Sequence, residues 1–282
     1  MNRIILIGNG FDLAHGFKTS YADFIYDYFK KAIEIFVKNG EFKDDLFELS
    51  YSSAYKFDFN SQPLEITSFD RVKEIFELFK TNNFAKPNII FHSKLLQELY
   101  ENLSNLKWVD VENIYFENLN YNKQSLEKIN KLNKDFNFLK SKLENYLDGL
   151  NLSKHSFRNN SFTRLFSDKI YKNEVVTKIL DDDLNPSNIH FLNFNYTNTI
   201  DNYYGHVSSY LNNVQLEHNY IHGELNSKDN PIIFGFGDEM DDRYLEFENL
   251  KNNQLFTHIK SFKYSQTSNY HDLIRFVESD NF

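Results

Sequence analysis

The chain has 282 residues, 41% hydrophobic and 17% aromatic, which suits one large core or a domain carrying an insertion. Its 40 acidic and 31 basic residues leave a net charge of -9, which argues against general affinity for nucleic acid or anionic lipid. The absence of cysteine removes disulfides, thiolate metal sites, iron–sulfur clusters and a Cys nucleophile. No apolar run reaches the roughly 18 residues of a membrane span. The N-terminal apolar run ends in Gly-Asn-Gly, not in a small-residue cleavage site, so no signal peptide is expected and a cytoplasmic protein is.

Ile4 to Ile7 is a short β-branched run that predicts a strand buried on both faces of a parallel sheet. Gly8-Asn9-Gly10 follows it. Ser20 with Asp23 has the spacing of a capping box and predicts a helix running to about Lys38, stopped by Asn39-Gly40. From 41 to 185 strand signals are scarce. Phe69–Lys80, Asn88–Leu103 and Ser125–Leu150 read as helices, so this stretch is expected to be a helical insertion or subdomain. Ile129, Leu132, Phe136, Leu139, Leu143, Tyr146 and Leu150 form an apolar stripe spaced three and four apart, expected to pack within its own domain. Strand character returns at Ile189–Tyr196, Tyr220-Ile221 and Pro231–Phe236. One or two helices are expected from Tyr244 to Phe282. The parts before 41 and after 185 together predict an open, mostly parallel α/β sheet, and such sheets bind ligands beyond the carboxyl ends of their strands.

Three stretches could carry chemistry. Gly8, Gly10 and Gly16 after a first strand would let the backbone approach a pyrophosphate. A dehydrogenase fingerprint would need a glycine where Leu13 stands, so that reading fails; a tight turn with no ligand is the alternative. The run Asn193 to Thr199 offers Asn and Thr groups for ribose hydroxyls or a positioned water, or for an Asx turn. His222-Gly223-Glu224 ends a short strand. In an extended chain His218 and His222 would stand about 13 Å apart, too far to share a metal, so no metal site is expected. Gly-x-Ser-x-Gly, Walker A and His-Glu-x-x-His motifs are absent from the sequence.

Ile4 to Gly16 followed by Lys18 to Phe24 resembles the opening signature of the AbiH family of bacteriophage abortive-infection proteins. Trp108 to Glu112, Asn193 to Thr199, Ile221 to Gly223 and Ile233 to Asp238 extend that resemblance along most of the chain. The order Gly8, Gly10, Gly16, then Asn193 to Thr197, then His222-Gly223, then Phe234-Gly235, is also similar to sirtuin-like NAD-binding domains. That second resemblance implies NAD as substrate or ligand, Asn195 and His222 as catalytic residues, and Gly8, Asn9, Gly10, Phe11, Asp12, Gly16, Tyr196, Thr197 and Gly223 as its binding residues. Asn195 would hold the nicotinamide ribose or the attacking water, and His222 would act on the ribose hydroxyls. Without zinc-binding cysteines a protein deacylase is not implied. The expectation is therefore a phage-defence protein that binds a dinucleotide and hydrolyses NAD to nicotinamide and ADP-ribose. The alternative is a non-catalytic nucleotide-binding sensor or interaction module. A homo-oligomer is left open, and a nuclease is disfavoured by the charge. Sirtuin-like domains continue past the Phe-Gly strand to a further parallel strand. None is legible here, so a C-terminally shortened family member with an open sheet edge is also expected.

Overall fold

The structure is a computed structural model that describes residues 1–51, 64–81, 87–106, 110–150, 159–173, 175, 182–211, 214–237 and 243–279. The first elements in chain order are β1 (Asn2–Ile7), α1 (Asn9–Ala14), α2 (Tyr21–Asn39), β2 (Glu41–Lys43), β3 (Phe47–Tyr51), α3 (Phe69–Thr81), β4 (Pro87–Phe91), α4 (Lys94–Leu106) and α5 (Val111–Tyr121). Then come α6 (Leu126–Gly149), α7 (Asn160–Phe166), β5 (Asn188–Asn193), α8 (Asp201–Tyr210), β6 (Gln215–Tyr220), α9 (Arg243–Asn249), α10 (Lys260–Tyr264) and α11 (Asn269–Val277), with a 3-10 turn at Asn253–Phe256. The chain divides into two compact units. One comprises Met1–Thr19, Leu147–Phe234 and Lys260–Phe282; the other comprises Ser20–Tyr146 and Gly235–Ile259.

The first unit is built on a parallel sheet in the order β1-β5-β6. Ile7 pairs with Asn193, and Asn193 with Tyr220, so the three strands end level with one another. β5 and β6 are joined through α8, the crossover that parallel strands require. Alternation along β5 decides the faces. Ile189 and Phe191 enter a core with Ile7, Phe11, Phe166, Ile200, Tyr203, Val207 and Leu211, supplied largely by α7 and α8. Burying each such side chain contributes about 1.5–3 kcal/mol. The alternate residue His190 points the other way, where its ring lies 4.7 Å from that of Phe276 on α11. Leu6, also off the core face, is 68% exposed.

The second unit contains α2, whose start and stop follow the predicted signals. Ser20 Oγ accepts from the Asp23 backbone N–H, and Gly40 closes the helix in the left-handed region at φ 84°. Phe29, Phe47, Phe76 and Phe91 pack ring against ring with Tyr100. The stripe on α6 is buried from Ile129 to Tyr146.

Three expectations are corrected. Ile4–Ile7 is not buried on both faces: β1 stands at the end of the described sheet, where one of its faces leaves Leu6 in solvent. Asn88–Leu103 is not one helix: Pro87–Phe91 is β4, outermost strand of an antiparallel sheet β2-β3-β4. The run Asn-Ile-Ile-Phe is β-branched and aromatic, and pairing with β3 prevails over the helical spacing. Pro231–Phe236 is not a strand. The Ile233 N–H donates to the His222 carbonyl at 2.7 Å, and a single bridge joins Phe236 to Ile259.

Candidate functional site

The carboxyl ends of β1, β5 and β6 form one edge of the parallel sheet. The Phe194 N–H donates to the Ile7 carbonyl at 2.8 Å, and the Ile221 N–H to the Asn193 carbonyl at 3.0 Å. Gly8, Asn195 and His222 each follow the end of one of these strands. They lie in three different stretches of sequence, and parallel pairing alone carries them to one edge.

Gly8 has extended backbone and precedes α1. A Cβ built on Gly8 or Gly10 meets nothing within 4 Å, so no packing within the described chain calls for glycine at either position. Gly16 is different: its φ of 79° suits the left-handed turn after α1. The Asn9 side-chain oxygen accepts from the Thr19 hydroxyl at 2.5 Å, on the surface. Phe11 faces inward, with its ring 5.0 Å from Phe162 and 5.5 Å from Tyr203.

The loop after β5 is a buried polar cluster. Asn193 accepts from the Asn195 N–H at 3.0 Å and donates to the Thr197 carbonyl at 3.1 Å, closing an Asx turn on itself. Asn195 Nδ2 donates to the Gly8 carbonyl at 3.0 Å and so ties this loop to the one after β1. The Thr197 hydroxyl donates to Asp12 Oδ2 at 2.5 Å. Asp12 is 1% exposed, and its Oδ1 makes no hydrogen bond to any described residue. Burial raises the Asp12 pKa above the ordinary carboxylate value; Thr197, Thr199, His15 and Asn195 act in the opposite sense without cancelling it.

His15 stands next along α1. Its Nε2 lies 2.5 Å from the Tyr203 hydroxyl, and that hydroxyl accepts from the Asn159 N–H at 3.0 Å. The Phe11 carbonyl, 2.6 Å from Nδ1, can only accept, which assigns the proton of the neutral His15 ring to Nδ1 and leaves Nε2 to accept from the Tyr203 hydroxyl. Nothing in the sequence singles out His15; a histidine four residues after Phe11 reads equally well as a core side chain.

His222 stands at the outer strand. The Phe194 ring, 39% exposed, meets it edge-on at 5.3 Å, and Tyr264 lies nearly parallel to it at 6.0 Å. Gly223 has φ 82°, and a Cβ there would fall 2.2 Å from the Pro231 carbonyl oxygen, so the returning backbone explains this glycine. The Tyr196 hydroxyl reaches the Ile233 carbonyl at 3.3 Å. Gly8, Asp12, Asn195 and Thr197 are thus brought together, His222 joins the same edge through Phe194, and Phe11 and Tyr196 are turned to other partners.

A second polar group missed in the sequence faces α8. Asp201 Oδ1 accepts from the Tyr220 hydroxyl at 3.1 Å and lies 3.3 Å from His218 Nδ1. Period-two spacing of His218 and Tyr220 was the available signal. Burial, then the nearby His190, lowers the His218 pKa to about 4. Among the described residues no group of three or more His, Asp or Glu side chains is arranged to hold a metal ion.

The family model described as "Bacteriophage abortive infection AbiH" matches residues 4–279. The chain belongs to the AbiH family. Its signature segments have visible work in this AbiH chain. Asp110 caps α5 through the N–H groups of Glu112 and Asn113, and the Glu112 carboxylate accepts from the Gly235 N–H at 2.9 Å. Trp108, Val109 and Asp238, part of the same signature, lie outside the described residues. No curated protein and no solved structure matches the chain. No helix among the described residues is long and apolar enough to cross a membrane.

Proposed function

We propose that this AbiH protein acts in abortive infection through a dinucleotide site at the carboxyl edge of β1, β5 and β6, with NAD cleaved to nicotinamide and ADP-ribose. The observation that carries the reading is the meeting of Gly8, Asn195 and His222 on one strand edge, in the order of the sirtuin-like resemblance. Open space beside Gly8 and Gly10 supports close approach of a ligand backbone there. Cleaving an N-glycosidic bond develops positive charge on the ribose, which buried, fixed dipoles stabilise well. The Asn195 amide oxygen and the His222 ring are the groups assigned to the ribose and the attacking water. The test follows NAD by chromatography with purified protein, with and without lysate of phage-infected cells. Intact NAD in both, and in infected cells expressing the protein, would reject the hydrolase.

A second reading rests on Asn195. Its Nδ2 is committed to the Gly8 carbonyl, which is the work of a loop brace. A nucleotide-binding sensor needs that brace and no turnover. On this reading NAD or ADP-ribose raises the melting temperature and is recovered unchanged.

A further inference from the structure

The hydrolytic reading leaves one chemical task unassigned. Water that attacks the ribose must give up a proton, and an amide such as Asn195 cannot take it. The acceptor must be titratable and close to Asn195. His15 has both ring nitrogens engaged, by the Phe11 carbonyl and the Tyr203 hydroxyl. His222 stands one strand further out, between Phe194 and Tyr264. Asp12 remains. It is fixed by Thr197 through Oδ2, flanked by Thr199, Asn195 and His15, and shut away from solvent, while Oδ1 makes no hydrogen bond to a described residue. A buried polar atom of this kind calls for a partner, and an enclosed water is the usual one.

We infer that Asp12 is the proton acceptor of the site, with Oδ1 holding the attacking water and Thr197 fixing the carboxylate in place. This rests on the NAD-hydrolysis reading. The water oxygen bonds to the anomeric carbon of the nicotinamide ribose. The bond from that carbon to the pyridinium nitrogen breaks, and its electron pair goes to the ring, which leaves as neutral nicotinamide. The water proton passes to the Asp12 carboxylate and from there to solvent, so no oxidant or metal enters the balance. Burial holds the carboxyl above the ordinary range, which strengthens it as a base once ionised.

The test compares wild type with Asp12→Asn, in which the amide oxygen can still accept from Thr197. ADP-ribose binding is measured by calorimetry and NAD cleavage across pH. Asp12→Asn should lose about 10²–10⁴-fold in kcat, with the acidic limb of the pH profile, while the ADP-ribose Kd stays within about threefold. Thr197→Val should keep that limb and move it to higher pH, because a group that lowers the Asp12 pKa is gone. An active wild type whose Asp12→Asn variant keeps kcat and the limb overturns the inference and leaves the hydrolase standing. A wild type that binds ADP-ribose and never consumes NAD overturns both. If Asp12→Asn does not fold, the carboxyl ¹³C titration of Asp12 in the wild type decides: a midpoint away from the acidic limb of kcat/KM refutes the assignment.

Discussion

Replacing Gly223 by alanine should be costly, and replacing Gly10 should not. At Gly223 the new methyl would lie 2.2 Å from the Pro231 oxygen, 2.7 Å from its carbonyl carbon and 2.9 Å from Ile232 Cα. All three are backbone atoms, so no rotamer relieves the contact. The left-handed φ of 82° adds about 1–2 kcal/mol for a residue with a Cβ. Moving the Pro231–Ile232 backbone adds about 1–3 kcal/mol, the usual cost of overpacking. The sum is about 2–5 kcal/mol, a large part of a domain's stability. At Gly10 a methyl meets nothing within 4 Å and the residue is helical, so alanine should be neutral or stabilise by up to about 1 kcal/mol. Urea unfolding followed by circular dichroism measures both. With two compact units, two transitions can separate, and Gly223→Ala should shift one of them. A loss below about 1 kcal/mol for Gly223→Ala, or above it for Gly10→Ala, would refute the steric account. Gly10→Ala then serves a second purpose: on the proposed function it weakens ADP-ribose binding without unfolding the protein.

Asp12→Asn should gain stability relative to wild type as pH rises from about 3.8 toward the raised pKa of Asp12, because the folded wild type binds its proton more tightly than the unfolded chain and loses that advantage when it ionises; urea midpoints across pH would show a constant difference if the carboxyl were ordinary. His218 works in the other direction: its pKa is lowered to about 4, so stability falls as pH drops from 6.5 toward 4, and His218→Gln should flatten that slope. Thr197→Val leaves Asp12 Oδ2 without its hydrogen bond and should cost about 1–3 kcal/mol at neutral pH, read by thermal unfolding. Phe29→Ala, at a fully buried ring touching Phe47 and Phe76, should cost about 3–5 kcal/mol, and a cost near 1 would mean that the aromatic cluster is loosely packed.

Local signals made the best-read elements legible. Ser20 with Asp23 and Asn39-Gly40 bracket α2 because capping depends on neighbours in sequence. The stripe from Ile129 to Tyr146 lies in a helix because the 24 residues of α6 carry a helical period with no competing one. β4 was hidden because its five residues Pro87 to Phe91 are separated from α4 only by His92 and Ser93, and the apolar spacing spans the joint. α5 could have been found: Asp110 as cap, then Val111, Tyr115 and Leu119 at intervals of four, is a helix signature. Pro231–Phe236 misled for another reason. Its apolar residues are buried without entering a sheet, and burial alone does not distinguish a strand from a packed loop.

The candidate site was legible as glycine, asparagine and histidine, but its internal economy was not. Asn193 and Asn195 stand two apart in one motif, yet Asn193 is consumed by its own turn while Asn195 bridges to Gly8. Gly8 and Gly223 both follow a strand, yet of the two Gly223 alone is required by contacts among the described residues. These differences depend on which backbone happens to lie opposite, a long-range fact that spacing does not carry. They also sort the residues by what is left to explain. Asn193, Gly223 and Gly16 have structural reasons sufficient for their identity. Gly8, Gly10 and the Oδ1 of Asp12 have none among the described residues. A fold alone has little use for two unneeded glycines beside a buried carboxyl with a free oxygen. A ligand of this protein should therefore be sought beside Gly8, Gly10 and Asp12 Oδ1.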